Sequence, residues 1–103
     1  MFAFDLMLTP WHKESVERAF TDIVGLLTET GVAPAWTINN HDTQRIVTRL
    51  GRPDADDPDS WTGNNLSTTG TDVDLELGTR RARALTALVF AIPGSLYLYQ
   101  GEE

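Results

Sequence analysis

Three residues of this chain are of types and spacing that can do chemistry together: His41, Asp42 and, three positions on, Arg45. An imidazole next to a carboxylate can grip two neighbouring hydroxyls or bind a metal ion. A plainer reading makes Asp42 the N-cap of a short helix over Gln44–Leu50, and the residues fit both. Arg45 can donate to a substrate oxygen, hold Asp42 by a charge-assisted hydrogen bond, or simply be solvated. Glu102 and Glu103 can act as paired carboxylates or serve as a solvated cap. Asp54, Asp56, Asp57 and Asp59 lack calcium-loop spacing and are interrupted by Pro53 and Pro58, so they read as a solvated loop. A metal-dependent phosphohydrolase built on His41–Asp42 is a third reading. It needs further histidines, and His12 is the only other one. Trp36 reads as core, and Trp61 as a rim residue able to stack on a sugar. Neither a glycine-rich phosphate loop nor a nucleophile elbow is present, and no residue is assigned as a metal ligand.

Composition narrows the function classes. The chain has 103 residues and a formal net charge of −7. It lacks the basic patch that nucleic-acid phosphates or an anionic membrane require, so neither is expected as a partner. There is no cysteine, hence no disulfide or thiolate metal site. The apolar stretch from Ala84 to Pro93 is too short to span a bilayer. The opening Met1-Phe2-Ala3-Phe4-Asp5 has no basic region or cleavage site, so no signal peptide and a cytoplasmic location are expected.

The elements that must position these residues alternate. Phe2–Phe4 reads as a strand and Leu6–His12 as a loop broken at Pro10. Lys13–Thr30 reads as a helix, with Val16, Phe20, Ile23 and Leu27 on one face and Gly31 as its C-cap. Pro34–Asn39 is a second strand, followed by a polar loop and the short helix ending at Gly51. The segment 52–78 is a long loop, rich in glycine, proline and aspartate. Thr79–Ile92 is a second long helix, with Leu85, Leu88, Val89 and Ile92 inward and Pro93-Gly94 as its stop. Its early arginines, Arg80, Arg81 and Arg83, oppose the helix dipole, and the acidic loop before them is expected to compensate. Ser95–Tyr99 is a third strand. Strands alternating with helices predict a parallel sheet, with ligands held at the carboxyl ends of the strands. Those ends fall at Asp5, at Asn39–Asp42 and at Gln100–Glu103, which places all three on one rim.

Trp36-Thr37-Ile38-Asn39-Asn40-His41-Asp42, with Arg45 and Arg49-Leu50-Gly51, resembles the strand-seven motif of the α-amylase superfamily (glycoside hydrolase family 13), closest to its α-glucosidase and oligo-1,6-glucosidase branch. Arg80-Arg81-Ala82-Arg83-Ala84 through Pro93-Gly94-Ser95-Leu96-Tyr97-Leu98-Tyr99-Gln100-Gly101-Glu102-Glu103 resembles that branch's helix seven and strand eight. Phe2-Ala3-Phe4-Asp5-Leu6 is similar to its strand six, where Asn often replaces Ala3. The match is weakest over Arg52–Gly78.

The resemblance implies an α/β fold, a partial (β/α)8 TIM barrel comprising strands six to eight with two crossover helices. Residues 1–103 would be a fragment of the catalytic barrel domain, with 52–78 as a long rim loop within it. A full barrel needs about 250 residues. The implied activity is that of a retaining α-glucosidase acting on α-glucosidic bonds of malto- or isomalto-oligosaccharides or disaccharides. Such enzymes use a carboxylate nucleophile and a second carboxyl as acid/base. In the family these lie on earlier strands, so the resemblance gives neither role to a residue here, and the chain alone is expected to be inactive. It matches Asp42 to the third, transition-state-stabilising carboxylate, and His41 and Arg45 to substrate binding; Gln100–Glu103 match a structural rim segment. No cofactor is expected in this chain. A calcium ion is compatible with the full-length parent, its family ligands lying upstream. The alternative from another class is a non-catalytic superfamily member that serves as a structural or partner subunit.

Overall fold

The computed structural model describes residues 2–61 and 72–102. Along the chain run β1 (Phe2–Ala3), α1 (Asp5–Leu8), α2 (Lys13–Thr30), β2 (Ala35–Thr37), α3 (Ile46–Leu50), α4 (Leu75–Phe90) and β3 (Ser95–Tyr97). The strands form a parallel sheet in the order β1-β2-β3. Trp36 of β2 is the central register point, opposite Ala3 on one side and Leu96 on the other.

Each long helix follows from its own residues. In α2, Ile23 is buried, and Phe20 and Ala19 pack against the core beside it. The helix stops where Gly31 takes a left-handed φ of 69° and its N–H reaches the Leu27 carbonyl, a conformation that costs glycine little. In α4, Gly78, Ala82, Leu85 and Val89 form the buried stripe at helical spacing. Asp74 caps its first turn by accepting from the Leu77 N–H at 2.9 Å. Between the sheet and these helices lies one core, built from Trp36, Ile38, Ile23, Leu50, Leu85 and Val89. Trp36 is fully buried, as its sequence context suggests. Its ring meets Phe20 at 5.3 Å between centroids, and its Nε1–H donates to the Pro93 carbonyl at 2.7 Å. That bond ties the end of α4 to the middle strand.

The expectation of a partial (β/α)8 TIM barrel, strands six to eight with two crossover helices, is not met. The described residues form a small open sheet whose strands are two or three residues long, accompanied by four helices. A strand of three residues spans only roughly 10 Å. Barrel closure needs longer strands, tilted and staggered around a common axis. The misreading came from treating each apolar run as strand over its full length. Phe4 instead turns into α1, Ile38 and Asn39 leave the sheet after Thr37, and Leu98 and Tyr99 leave it after Tyr97.

Helix boundaries differ as well: α3 starts at Ile46, not Gln44, and α4 ends at Phe90, not Ile92. Leu6–His12, expected to be loop, begins inside α1, whose Leu6 and Met7 are buried. Helix α4 starts at Leu75, not Thr79. Of the expected loop 52–78, residues 52–61 form successive turns. Trp11 N–H donates to the Ala55 carbonyl, and the buried Ala55 seats these turns on the chain after α1. Residues 62–71 lie outside the described residues. The arginines of α4 find part of the expected compensation: Arg81 pairs with Asp56 at 2.9 Å and also donates to the Leu50 carbonyl. Among the described residues no helix is long and apolar enough to cross a membrane.

Candidate functional site at the strand ends

Because the strands are parallel, their carboxyl ends emerge on one side. There they enclose a shallow hollow of about 250 Å³, lined by Phe4 after β1, by Thr37, Asn39 and His41 around the end of β2, and by Tyr97 and Tyr99 at the end of β3. The rim inferred from strand order is therefore present.

His41 and Asp42 stand on a turn at this rim. His41 Nε2 is 3.3 Å from Asp42 Oδ2, and both side chains are 75 % exposed. The turn is shaped by Asn40, whose Oδ1 accepts from the Asp42 backbone N–H at 2.9 Å. Asp42 is not the cap of α3. That helix begins at Ile46, and its first N–H is satisfied by Asn39 Oδ1 at 3.1 Å. The capping reading of Asp42 thus fails, because the helix starts at Ile46 with Arg45 in the N-cap position, and Asn39 takes the first N–H from outside the helix.

Arg45, the third expected site residue, turns toward β3. Its guanidinium lies 4.3 Å from the centre of the Tyr99 ring and donates to the Gln100 carbonyl at 3.0 Å. It is exposed and lies beside the hollow that Tyr99 lines. The three residues are brought to one rim, and the contacts of Arg45 fasten the exit of β2 to the exit of β3.

Beneath the rim sits Arg49, which the sequence offers only as part of a motif and without a role of its own. It is 1 % exposed, donates to the Ile38 carbonyl at 2.8 Å and to the Gln44 carbonyl at 3.1 Å, and so braces both ends of the turn that carries His41 and Asp42. Burial pulls its pKa down to about 10. Glu102 opposes that effect and Arg52 adds to it. Nε of Arg49 and Oγ1 of Thr43 are buried and find no hydrogen-bond partner among the described residues. A signal for Arg49 did exist: it lies three positions after Ile46 and next to Leu50, on the inward side of the short helix.

Other candidates fall away from the rim. Trp61, proposed for sugar stacking, donates its indole N–H to the Leu8 carbonyl at 2.6 Å, and its ring is covered by the Arg52 guanidinium at 4.7 Å. It anchors the 52–61 turns and offers no open face on that side. His12 faces Glu14 at 3.1 Å and Ser15 at 3.2 Å at the start of α2. Among the described residues no group of three His, Cys, Asp or Glu side chains is placed to hold a metal ion. Glu102 is described and is bound to Asn39 and Tyr99, while Glu103 lies outside the described residues. A larger apolar hollow of about 550 Å³, between Trp11, Val16 and Phe20 on one side and Leu88 and Ile92 on the other, shares no residue with the rim. Its lining is mostly apolar but includes His12, Lys13, Glu17 and Thr21, and none of His41, Asp42 and Arg45 borders it.

Comparison with known proteins returns no match, either among protein-family models or among curated proteins.

Proposed function

We propose that the rim formed by His41, Asp42 and Arg45 binds a glucosyl unit as part of a retaining α-glucosidase-type glycoside hydrolase. Its substrates are malto- or isomalto-oligosaccharides or disaccharides. The reading is carried by one observation: His41, Tyr97 and Tyr99 line one hollow at the parallel strand ends, with the Asp42 carboxylate paired to His41 and the Arg45 guanidinium stacked on Tyr99. Vicinal sugar hydroxyls suit such a set. The carboxylate of Asp42 accepts from one hydroxyl while His41 and Arg45 donate to oxygens. Tyr97 and Tyr99 supply apolar ring surface.

In this reading Asp42 makes hydrogen bonds that tighten as the sugar flattens toward an oxocarbenium ion. Nucleophile and acid/base are residues outside those that the resemblance covers. The 103-residue chain therefore binds sugar but does not cleave it. We further propose a cytoplasmic location, which cell fractionation tests.

The direct experiment is a nuclear magnetic resonance titration of the chain with maltose and isomaltose, alongside hydrolysis of p-nitrophenyl α-glucoside. The expected result is shifts of the His41, Asp42 and Arg45 amides that Asp42→Asn suppresses, with no hydrolysis. Absence of shifts at tens of millimolar sugar would overturn the binding site, and hydrolysis by the chain alone would overturn the assignment of roles. A non-catalytic partner subunit of the same superfamily is the second reading, favoured by the high exposure of the His41–Asp42 pair. A parent protein that carries the upstream carboxylates and loses turnover on Asp42→Asn decides for the enzyme.

A further inference from the structure

We infer that Glu102 is a positioning residue for the His41–Asp42 turn and acts by dictating which way the Asn39 side-chain amide points. The inference rests on the sugar-binding reading only for its functional consequence; the geometry stands by itself. Residues 40–45 leave the end of β2 and return to α3. Asn39 closes the base of this excursion: its Oδ1 accepts from the Ile46 N–H at 3.1 Å, and its Nδ2 donates to Glu102 Oε1 at 3.0 Å. Asn39 is only 3 % exposed, so both halves of its amide must be satisfied inside the protein.

The other oxygen of Glu102 accepts from the Tyr99 N–H at 2.6 Å, and the Glu102 N–H returns to the Tyr99 carbonyl at 3.1 Å. The carboxylate is thereby held in the turn that follows β3. A carboxylate only accepts, so the NH2 of Asn39 must face it and the oxygen must face Ile46. With that constraint removed, the Ile46 N–H alone holds the amide, and an amide turned over to satisfy a new partner would set its NH2 against the Ile46 N–H and open the base of the turn. The remaining ties of that base do not touch the amide: Thr37 Oγ1 donates to the Asn39 carbonyl, and Arg49 donates to the Ile38 carbonyl. Orientation of the amide is thus set by two partners, the Ile46 N–H on its oxygen and Glu102 on its NH2.

The test is a swap of donor and acceptor. Glu102→Gln, with its oxygen kept on the Tyr99 N–H, turns an NH2 toward the NH2 of Asn39. Asn39→Asp sets two carboxylates face to face. The double variant Asn39→Asp/Glu102→Gln restores a donor–acceptor pair with the direction reversed and leaves an oxygen for the Ile46 N–H. We expect each single variant to lower the 15N heteronuclear Overhauser effect of residues 40–45, with α2 and α4 unchanged, and to weaken maltose binding about tenfold; the double variant recovers both. Loop order in Glu102→Gln equal to the original, or a double variant no better than the singles, overturns the inference. Should a single variant fail to fold, a folded double with ordered 40–45 still supports it and an unfolded double overturns it. If the original chain binds no sugar, the sugar reading fails while the loop-order comparison continues to decide the role of Glu102.

Discussion

Gly78 of α4 lies directly against Val47 of α3, so close that a β-carbon added at Gly78 would overlap the Val47 carbonyl oxygen and also crowd Gly51. This contact sets the distance between the two helices, and α3 in turn carries Arg49 beneath the rim. Gly78→Ala is expected to destabilise the chain by about 2–3 kcal/mol through overpacking, despite the better helix propensity of alanine. Urea denaturation measures this. A neutral or stabilising result would show that α3 and α4 can separate without cost.

Asp74 starts α4 by capping Leu77. Asp74→Ala should cost about 1 kcal/mol and Asp74→Asn much less, because asparagine caps nearly as well. Thermal melts followed by circular dichroism check the pair, and equal losses would mean that charge and not the cap is what matters.

Trp36→Phe removes the indole N–H that reaches Pro93 and leaves space in the centre of the core. The expected loss is about 2 kcal/mol or more. Its effect should also appear at the start of β3 as faster amide exchange at Ser95, whose N–H bonds the Pro34 carbonyl. Unaltered exchange there would uncouple the tryptophan from the sheet.

Asp57 accepts from the Ser60 hydroxyl at 2.6 Å and from the Asp59 N–H at 3.0 Å, and these bonds, the Ser60 hydroxyl first, lower its pKa from 3.8. A carboxyl whose folded pKa lies below its unfolded one adds stability above the unfolded value and loses it as pH falls through the folded value. The window for Asp57 therefore lies below pH 3.8. Ser60→Ala should move the titration of Asp57, followed by carboxyl-carbon chemical shift, back toward the ordinary value. A titration that does not move would assign the shift to the backbone alone.

Arg45 stacked on Tyr99 holds a cation at the rim. Tyr99→Leu should weaken maltose binding about two- to fivefold, as expected for loss of an exposed cation–π contact. Calorimetry or the amide titration reads this, and unchanged affinity would place Arg45 outside the sugar site.

Much of the chain's local structure was legible from residue order. Helix α2 runs over Lys13–Thr30 as its apolar spacing and Gly31 predict, because those signals lie within a few residues of one another. The burial of Trp36, the sequential parallel strands and the common rim followed from pattern as well. Gly78 misled the reading of α4. In local terms a glycine ends a helix, but here it lies inside one, where the approach of α3 leaves no room for a side chain.

Sequence by itself thus determined which residues could do chemistry and that three strand ends would meet, since both depend on residue type and alternation. Only the tertiary structure decided the rest. The strands remain short and the sheet open, and α1 joins the three expected helices, because the apolar runs turn away to satisfy helix ends and core contacts. Asn39, not Asp42, takes the first N–H of α3, and Asp42 stands with His41 at the surface. Arg49 and Glu102 support that turn through partners 11 and 63 positions away in the chain. Hydrogen bonds over such separations depend on how strands and helices come together, and no local spacing encodes them.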